Sequence, residues 1–233
     1  MAKKQTIVGE NLTPTLLKEL GAVDKFPQTP ASFQPDGNWT NNYRIWTCHG
    51  YRESGNQTVG SLQITRNVDS AKTFVLKVRQ EISQTDGLTN VVHGTIKCRI
   101  NKLASPVEWK LSSLFLGTDQ REISELSSNE DGQIAEGADR VTGDWCLFEA
   151  VQRLAFEKQA SLDFDLLEGM SLSKHRHHLS YRGTYPMKTN GGGIPLHCFS
   201  QLGRGILPAE YWLDDHHRLL AVISMNKAYI LDK

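Results

Sequence analysis

From Tyr43 onward, apolar and polar positions alternate with a period of two. That pattern predicts strands over 43–51, 57–66, 72–83, 91–100 and 107–117. Turn signals separate the early ones: Ser54-Gly55-Asn56, Asn67 to Ser70, and Asp86-Gly87. Alternation resumes over 161–167, 175–182, 195–202, 208–213 and 218–231. Between the two sets, 118–143 is acidic and irregular, and Trp145–Phe156 switches to the helical period. Leu147, Phe148, Val151, Leu154 and Ala155 form its apolar stripe, with Asp144 as the expected N-cap. Gly191-Gly192-Gly193 reads as a hairpin loop, and Asp214 to His217 as a solvated hairpin tip.

The first 42 residues read differently. Thr13 as N-cap, Pro14 at the first helical position and Gly21 past the end predict a short helix with Leu16, Leu17 and Leu20 on one face. Pro27, Pro30, Pro35 and Asp36-Gly37 then mark an extended connector. The expected organisation is 1–42 as helix and connector, and 43–233 as one β-rich domain. The expected fold is mainly β: a large curved antiparallel sheet or open β-barrel of about ten strands, with one covering helix and a short N-terminal helix.

Register follows from the same alternation. A two-residue turn at Asp86-Gly87 would set Leu76 opposite Lys97, which buries one strand's apolar face beside its neighbour's polar face. An odd-length loop cures this. The expected pairs are then Leu76 with Cys98 and Val78 with Ile96. On the other, basic face, Lys77 meets Lys97, Arg79 meets Thr95 and Glu81 meets His93.

Composition is that of an ordinary globular chain: 39% hydrophobic, 22% charged, 19 Gly. No apolar run is long enough for a transmembrane helix. The 26 basic and 26 acidic residues balance, which argues against a nucleic-acid partner. Their distribution is uneven, since 111–168 holds 13 Asp/Glu against four Lys/Arg. Basic stretches on either side can focus an anionic ligand. Cys48, Cys98, Cys146 and Cys198 lack zinc-site spacing and read as small buried hydrophobes. No signal peptide is legible, so the expected location is cytoplasmic, or exported if a leader has been removed.

Three segments carry a resemblance at the level of pattern. They are Tyr43, Arg44, Ile45 and Trp46; the Trp145–Phe156 helix; and the closing run from Leu207 to Asp214. With a strand meander on each side of a short helix, residues 43–231 resemble bacterial exported half-barrel proteins of the lipoprotein-carrier-like kind. The resemblance implies a concave ligand-binding sheet and transfers no individual functional residue. The Thr13–Gln34 leader departs from it.

Candidate chemistry concentrates in Lys174 to Arg182. On a strand, His175, His177 and Tyr181 share one face, with Arg176 and Arg182 on the other. His and Tyr are a general base and acid for neutral pH, and cations nearby acidify the carbon beside a carboxylate. The set suits β-elimination from an acidic sugar. Catalytic roles fall to His175, His177 and Tyr181, and substrate binding to Arg79, Lys97, Arg176 and Arg182. No cofactor is required. A metal at His175 and His177 is an open alternative, with His49, His93 or His197 as third ligand. The competing function is a noncatalytic carrier for an amphipathic or anionic small molecule in the same concavity. Either way the expected partner is a small-molecule or carbohydrate ligand.

Overall fold

A computed structural model describes residues 17, 22, 25–48, 56–83, 87–116, 121–127, 138–158, 161–189, 192–224 and 226–232. The expected Thr13 to Gly21 helix lies outside these apart from Leu17, which is buried. The expected third ligand His49 also lies outside them.

Thirteen strands form one sheet, in the order β6-β5-β4-β3-β2-β1-β13-β12-β11-β10-β9-β8-β7. The first half comprises β1 (Trp39–Thr47), β2 (Gln57–Val68), β3 (Thr73–Ser83), β4 (Thr89–Arg99), β5 (Pro106–Leu116) and β6 (Arg121–Ser127). The second comprises β7 (Val141–Gly143), β8 (Ser161–Glu168), β9 (Leu172–Thr189), β10 (Gly192–Leu202), β11 (Ala209–Leu213), β12 (Leu219–Ser224) and β13 (Lys227–Leu231). β13 pairs with β1, joining the two meanders. Among the described strands, only β7 runs parallel to its neighbour, β8. Twist curls so long a sheet toward closure. Thr142 on β7 donates to the Leu103 carbonyl, in the β4–β5 connection, at 2.6 Å. The sheet is thus a nearly closed barrel with alternate residues inward, as Trp39, Asn41, Tyr43 and Ile45 show on β1.

The β3–β4 register has the expected even parity and is offset by one pair. Leu76 faces Ile96, and Phe74 faces Cys98. Val78 faces Gly94, Lys77 faces Thr95, and Arg79 faces His93. Gly94 sits where a Cβ would come within 2.6 Å of Leu111 Cδ2, so the small residue opposite Val78 makes room for the next strand's Leu. Residues 118–143 are not wholly irregular, since they contain β6 and β7.

The helix is shorter than its periodicity predicts. α1 spans Asp144–Ala150, and a single 3₁₀ turn, Val151–Arg153, follows. Leu154 leaves in an extended conformation, Ala155 is exposed, and Phe156 is half-buried. The N-cap is Gly143, and Asp144 lies inside the first turn. Every residue from Trp145 to Ala150 is buried. A helix buried all round is a plug, not a cover.

The plug is held by charge. Arg66 Nε donates to Glu149 Oε1 at 2.8 Å, and Arg153 donates to both Glu149 oxygens at 2.6 and 2.8 Å. Arg153 also reaches the Asn101 carbonyl at 2.6 Å, and Arg66 the carbonyls of Asp36 and Gly37. The Arg66 guanidinium lies 4.3 Å from the Phe74 ring centre. The connector, the α1 C-terminus and the ends of β2 and β3 thus close one end of the barrel. The four cysteines are buried thiols. Cys146 on α1 and Cys98 on β4 bring their sulfurs within 3.8 Å.

Candidate functional site: a cavity in the barrel

At the other end of the barrel a cavity of about 740 Å³ lies between α1 and the inner sheet face. Its walls are mostly apolar and aromatic: Trp145 and Phe148 from α1, Leu166 from β8, Tyr211 from β11, Val222 from β12 and Tyr229 from β13. Polar side chains from several elements line it as well. Asp144, Glu168, Gln201 and Lys227 lie among them. The lining includes residues of strand connections at this end, Gly205, Ile206, Leu207 and Asn226. Among the described residues, six large hydrophobic side chains are conspicuously exposed. Four of them, Leu116, Leu172, Leu202 and Leu207, sit at the cavity-end termini of β5, β9 and β10 or in the loop after β10.

Inside, Phe148 organises the aromatic wall. Its ring meets Tyr43, Tyr229 and Tyr211 edge-on, with centroids at 5.5, 5.3 and 6.3 Å. Asp144 Oδ2 accepts from the Gly169 N–H at 2.7 Å. Burial pushes the Asp144 carboxyl up to about 6, against the pull of that hydrogen bond; Glu168 adds to the rise. Burial, and after it the charge of Asp144, raises the phenols of Tyr211 and Tyr229. Glu168 is paired with Lys174, whose ammonium lies 2.6 Å from Glu168 Oε2 and donates to the Gly205 carbonyl at 2.6 Å.

The nine-residue strand segment distributes its side chains unexpectedly. His177, Leu179 and Tyr181 are buried on the inward side. Arg176 adopts a left-handed φ of 64° where the β8–β9 register shifts between Phe164 and Leu166. That irregularity breaks the simple alternation, and His175 is turned out to solvent against Asp165 at 2.9 Å. His178 faces out against Asp163 at 2.7 Å. Arg176 and Arg182 are exposed. Arg79 pairs with Glu81, and Lys97 with Asp69 at 3.2 Å, both on the exposed outer face. The structure therefore does not bring His175 to His177, nor any of the four cations to Tyr181.

His177 lies under the β10–β11 loop. A Cβ on Gly203 would meet its ring within 2.3 Å, so only glycine lets the backbone cross there. Gln201 Nε2 donates to His177 Nδ1 at 3.2 Å, and the Tyr211 hydroxyl donates to Gln201 Oε1 at 2.7 Å. Burial, and next the Lys174 ammonium, holds His177 below the ordinary histidine range.

Tyr181 belongs to a different constellation. Its hydroxyl donates to His197 Nδ1 at 2.8 Å, and His197 Nε2 donates to Asp215 Oδ1 at 2.9 Å. The carboxylate thus selects the tautomer that accepts the tyrosine proton. Thr184 Oγ1 lies 3.0 Å from the Tyr181 oxygen. Phe156 is sandwiched between His197 and His217, with ring centroids at 3.7 and 3.9 Å. The hairpin tip is therefore not simply solvated, because His217 is packed on Phe156. Sequence reading placed His197 only among metal ligands and Asp215 only in a turn. Their meeting depends on β10–β11 pairing, which no local signal encodes. Among the described residues, no three His, Cys, Asp or Glu side chains converge to hold a metal ion. No helix among them is long and apolar enough to cross a membrane.

Comparison with known proteins gives no family assignment: neither a family model nor a curated protein matches. Solved structures that match include two at low identity and low TM-score. A β-barrel-like protein of a domain of unknown function from Brucella abortus is 8% identical, with a TM-score of 0.46, over 84% of this chain and 96% of that one. The Aeromonas veronii immune modulator A is 6% identical, with a TM-score of 0.28, over 89% of this chain and 74% of that one.

Proposed function

We propose that this chain is a noncatalytic binding protein for a small amphipathic molecule held in the barrel cavity. The observation that carries the reading is the cavity itself. About 740 Å³ of space, walled by aromatic and aliphatic groups with polar ones among them, is the usual character of a small-ligand site. Exposed leucines at this end of the barrel, Leu207 of the lining among them, add apolar surface that an amphiphile can contact.

An environment-sensitive apolar dye, N-phenylnaphthylamine, is expected to bind saturably at about one site per chain, with a blue-shifted emission. Long-chain amphiphiles are expected to displace it. Fluorescence that rises linearly without saturation would remove the reading.

One observation favours a second reading, an acid–base enzyme: the Asp215–His197–Tyr181 relay. A lyase acting on an acidic sugar would use Tyr181 to deliver or take the proton. Such an enzyme would raise near-ultraviolet absorbance with a uronic-acid polymer, and Tyr181→Phe would slow it ~10²–10⁴-fold. The relay does not line the cavity, and Arg176 and Arg182 are on the opposite face of β9 from Tyr181. For these reasons the binding reading is preferred.

A further inference from the structure

We infer that the cavity selects an organic cation: an amphiphile whose ammonium head sits by Asp144 within the Trp145, Phe148, Tyr211 and Tyr229 rings. The inference rests on the binding reading above and adds the charge of the ligand.

Three observations lead to it. First, Asp144 lines the cavity and is held by a backbone N–H at 2.7 Å. Glu168, the other carboxylate of the wall, already has Lys174 at 2.6 Å. Second, Trp145, Phe148, Tyr211 and Tyr229 line the same cavity as Asp144. Ring faces carry negative potential and attract ammonium groups, with the strongest effect where water is excluded. The negative charge of Asp144 is felt at both the Tyr211 and Tyr229 phenols. Third, the carboxyl is desolvated. Burial raises its affinity for a proton, so an ionised Asp144 lacks the solvation it would have in water. An ammonium replaces that solvation, whereas a sulfate or carboxylate head would add repulsion.

The charged groups facing Asp144 are Glu168 on β8, Lys174 on β9 and Lys227 on β13. Glu168 favours a cation, and the two lysines oppose it. Lys174 is engaged by Glu168 and the Gly205 carbonyl. Lys227 begins β13 at the cavity end. A ligand whose head passes Lys227 to reach Asp144 gains from the carboxylate and the rings together.

The test uses three ligands with one decyl chain, below their micelle concentrations: decyltrimethylammonium, decyl maltoside and decyl sulfate. Dye displacement is measured with the full chain at pH 8 and pH 5. At pH 8 the cation is expected to bind about 10–100-fold tighter than the neutral ligand, the scale of a desolvated cation–π contact with a carboxylate beside it, and decyl sulfate weakest. Asp144 titrates near 6, so the cation's advantage should shrink at pH 5. In Asp144→Asn the cation and neutral affinities should converge at both pH values. The wild-type pH series stands alone should that variant fail to fold. Saturable binding with equal cation and neutral affinities at pH 8, or with decyl sulfate tightest, overturns the cation inference and leaves the binding reading intact. A pH-independent preference, or one that survives in folded Asp144→Asn, also overturns it. No saturable binding of any of the three overturns both.

Discussion

Glu149→Ala is expected to cost about 3–5 kcal/mol of folding stability, enough to unfold much of a domain whose total is typically about 5–15 kcal/mol. Glu149 and Arg66 have fully buried side chains, and Arg153 keeps 14% of its side-chain surface exposed. Removing the carboxylate leaves the Arg66 charge buried with only backbone carbonyls and the Phe74 ring for company. Two charges that repelled each other across a shared anion then face each other directly. The penalty therefore exceeds the loss of three hydrogen bonds. Replacing Arg66, Glu149 and Arg153 together with apolar residues of similar volume should cost far less, since buried ion networks often do no better than good packing. Urea denaturation of both variants checks this. A loss below about 1 kcal/mol for Glu149→Ala, within the range of an exposed pair, would mean that the plug is not seated as described.

Phe148→Ala is expected to cost about 3–5 kcal/mol, the range for an aromatic core truncation, and to weaken binding of the apolar dye. Phe148 is 5% exposed and meets three tyrosine rings edge-on. Such pairs add about 0.5–1.5 kcal/mol each beyond the area they bury. Removing the ring merges its volume with the cavity, so a small probe loses contact on one side. Phe148→Leu should fall between wild type and alanine in both thermal stability and dye affinity. Full stability with full dye affinity in Phe148→Ala would place this ring outside both core and site.

Sequence made the β architecture legible, because alternation must agree between paired strands. The parity of the β3–β4 register followed from Leu76 and Val78 alone. The offset did not, since two registers separated by a full pleat bury the same faces. β6 was missed for a related reason. Its apolar residues, Ile123 and Leu126, are spaced by three, which does not fit a period of two. Leu147, Val151 and Leu154 of the helix stripe are buried, and Glu149, which lies off that stripe, is buried too. Its partner Arg66 is 83 residues away, beyond any local signal.

The candidate site was legible only as a concavity. His175 was misplaced because the backbone irregularity at Arg176 breaks strand alternation, and no glycine or proline announces it. Tyr181 lies with a histidine and an aspartate, but His197 and Asp215 come from β10 and the β11–β12 turn. Asp144 read as a helix cap because carboxylates usually serve there. Its place on the cavity wall depends on β8 and β13 closing around it.

The most direct test of the cavity as the binding site is an amide-resolved NMR titration with decyltrimethylammonium. The account predicts saturable shifts at Asp144, Trp145 and Phe148, in the Gly205–Leu207 loop, and at Tyr211, Val222 and Tyr229, while Tyr181, His197 and Asp215 stay unmoved. Saturable shifts centred on Tyr181, His197 and Asp215 with a silent cavity would contradict it, as would the absence of any saturable change.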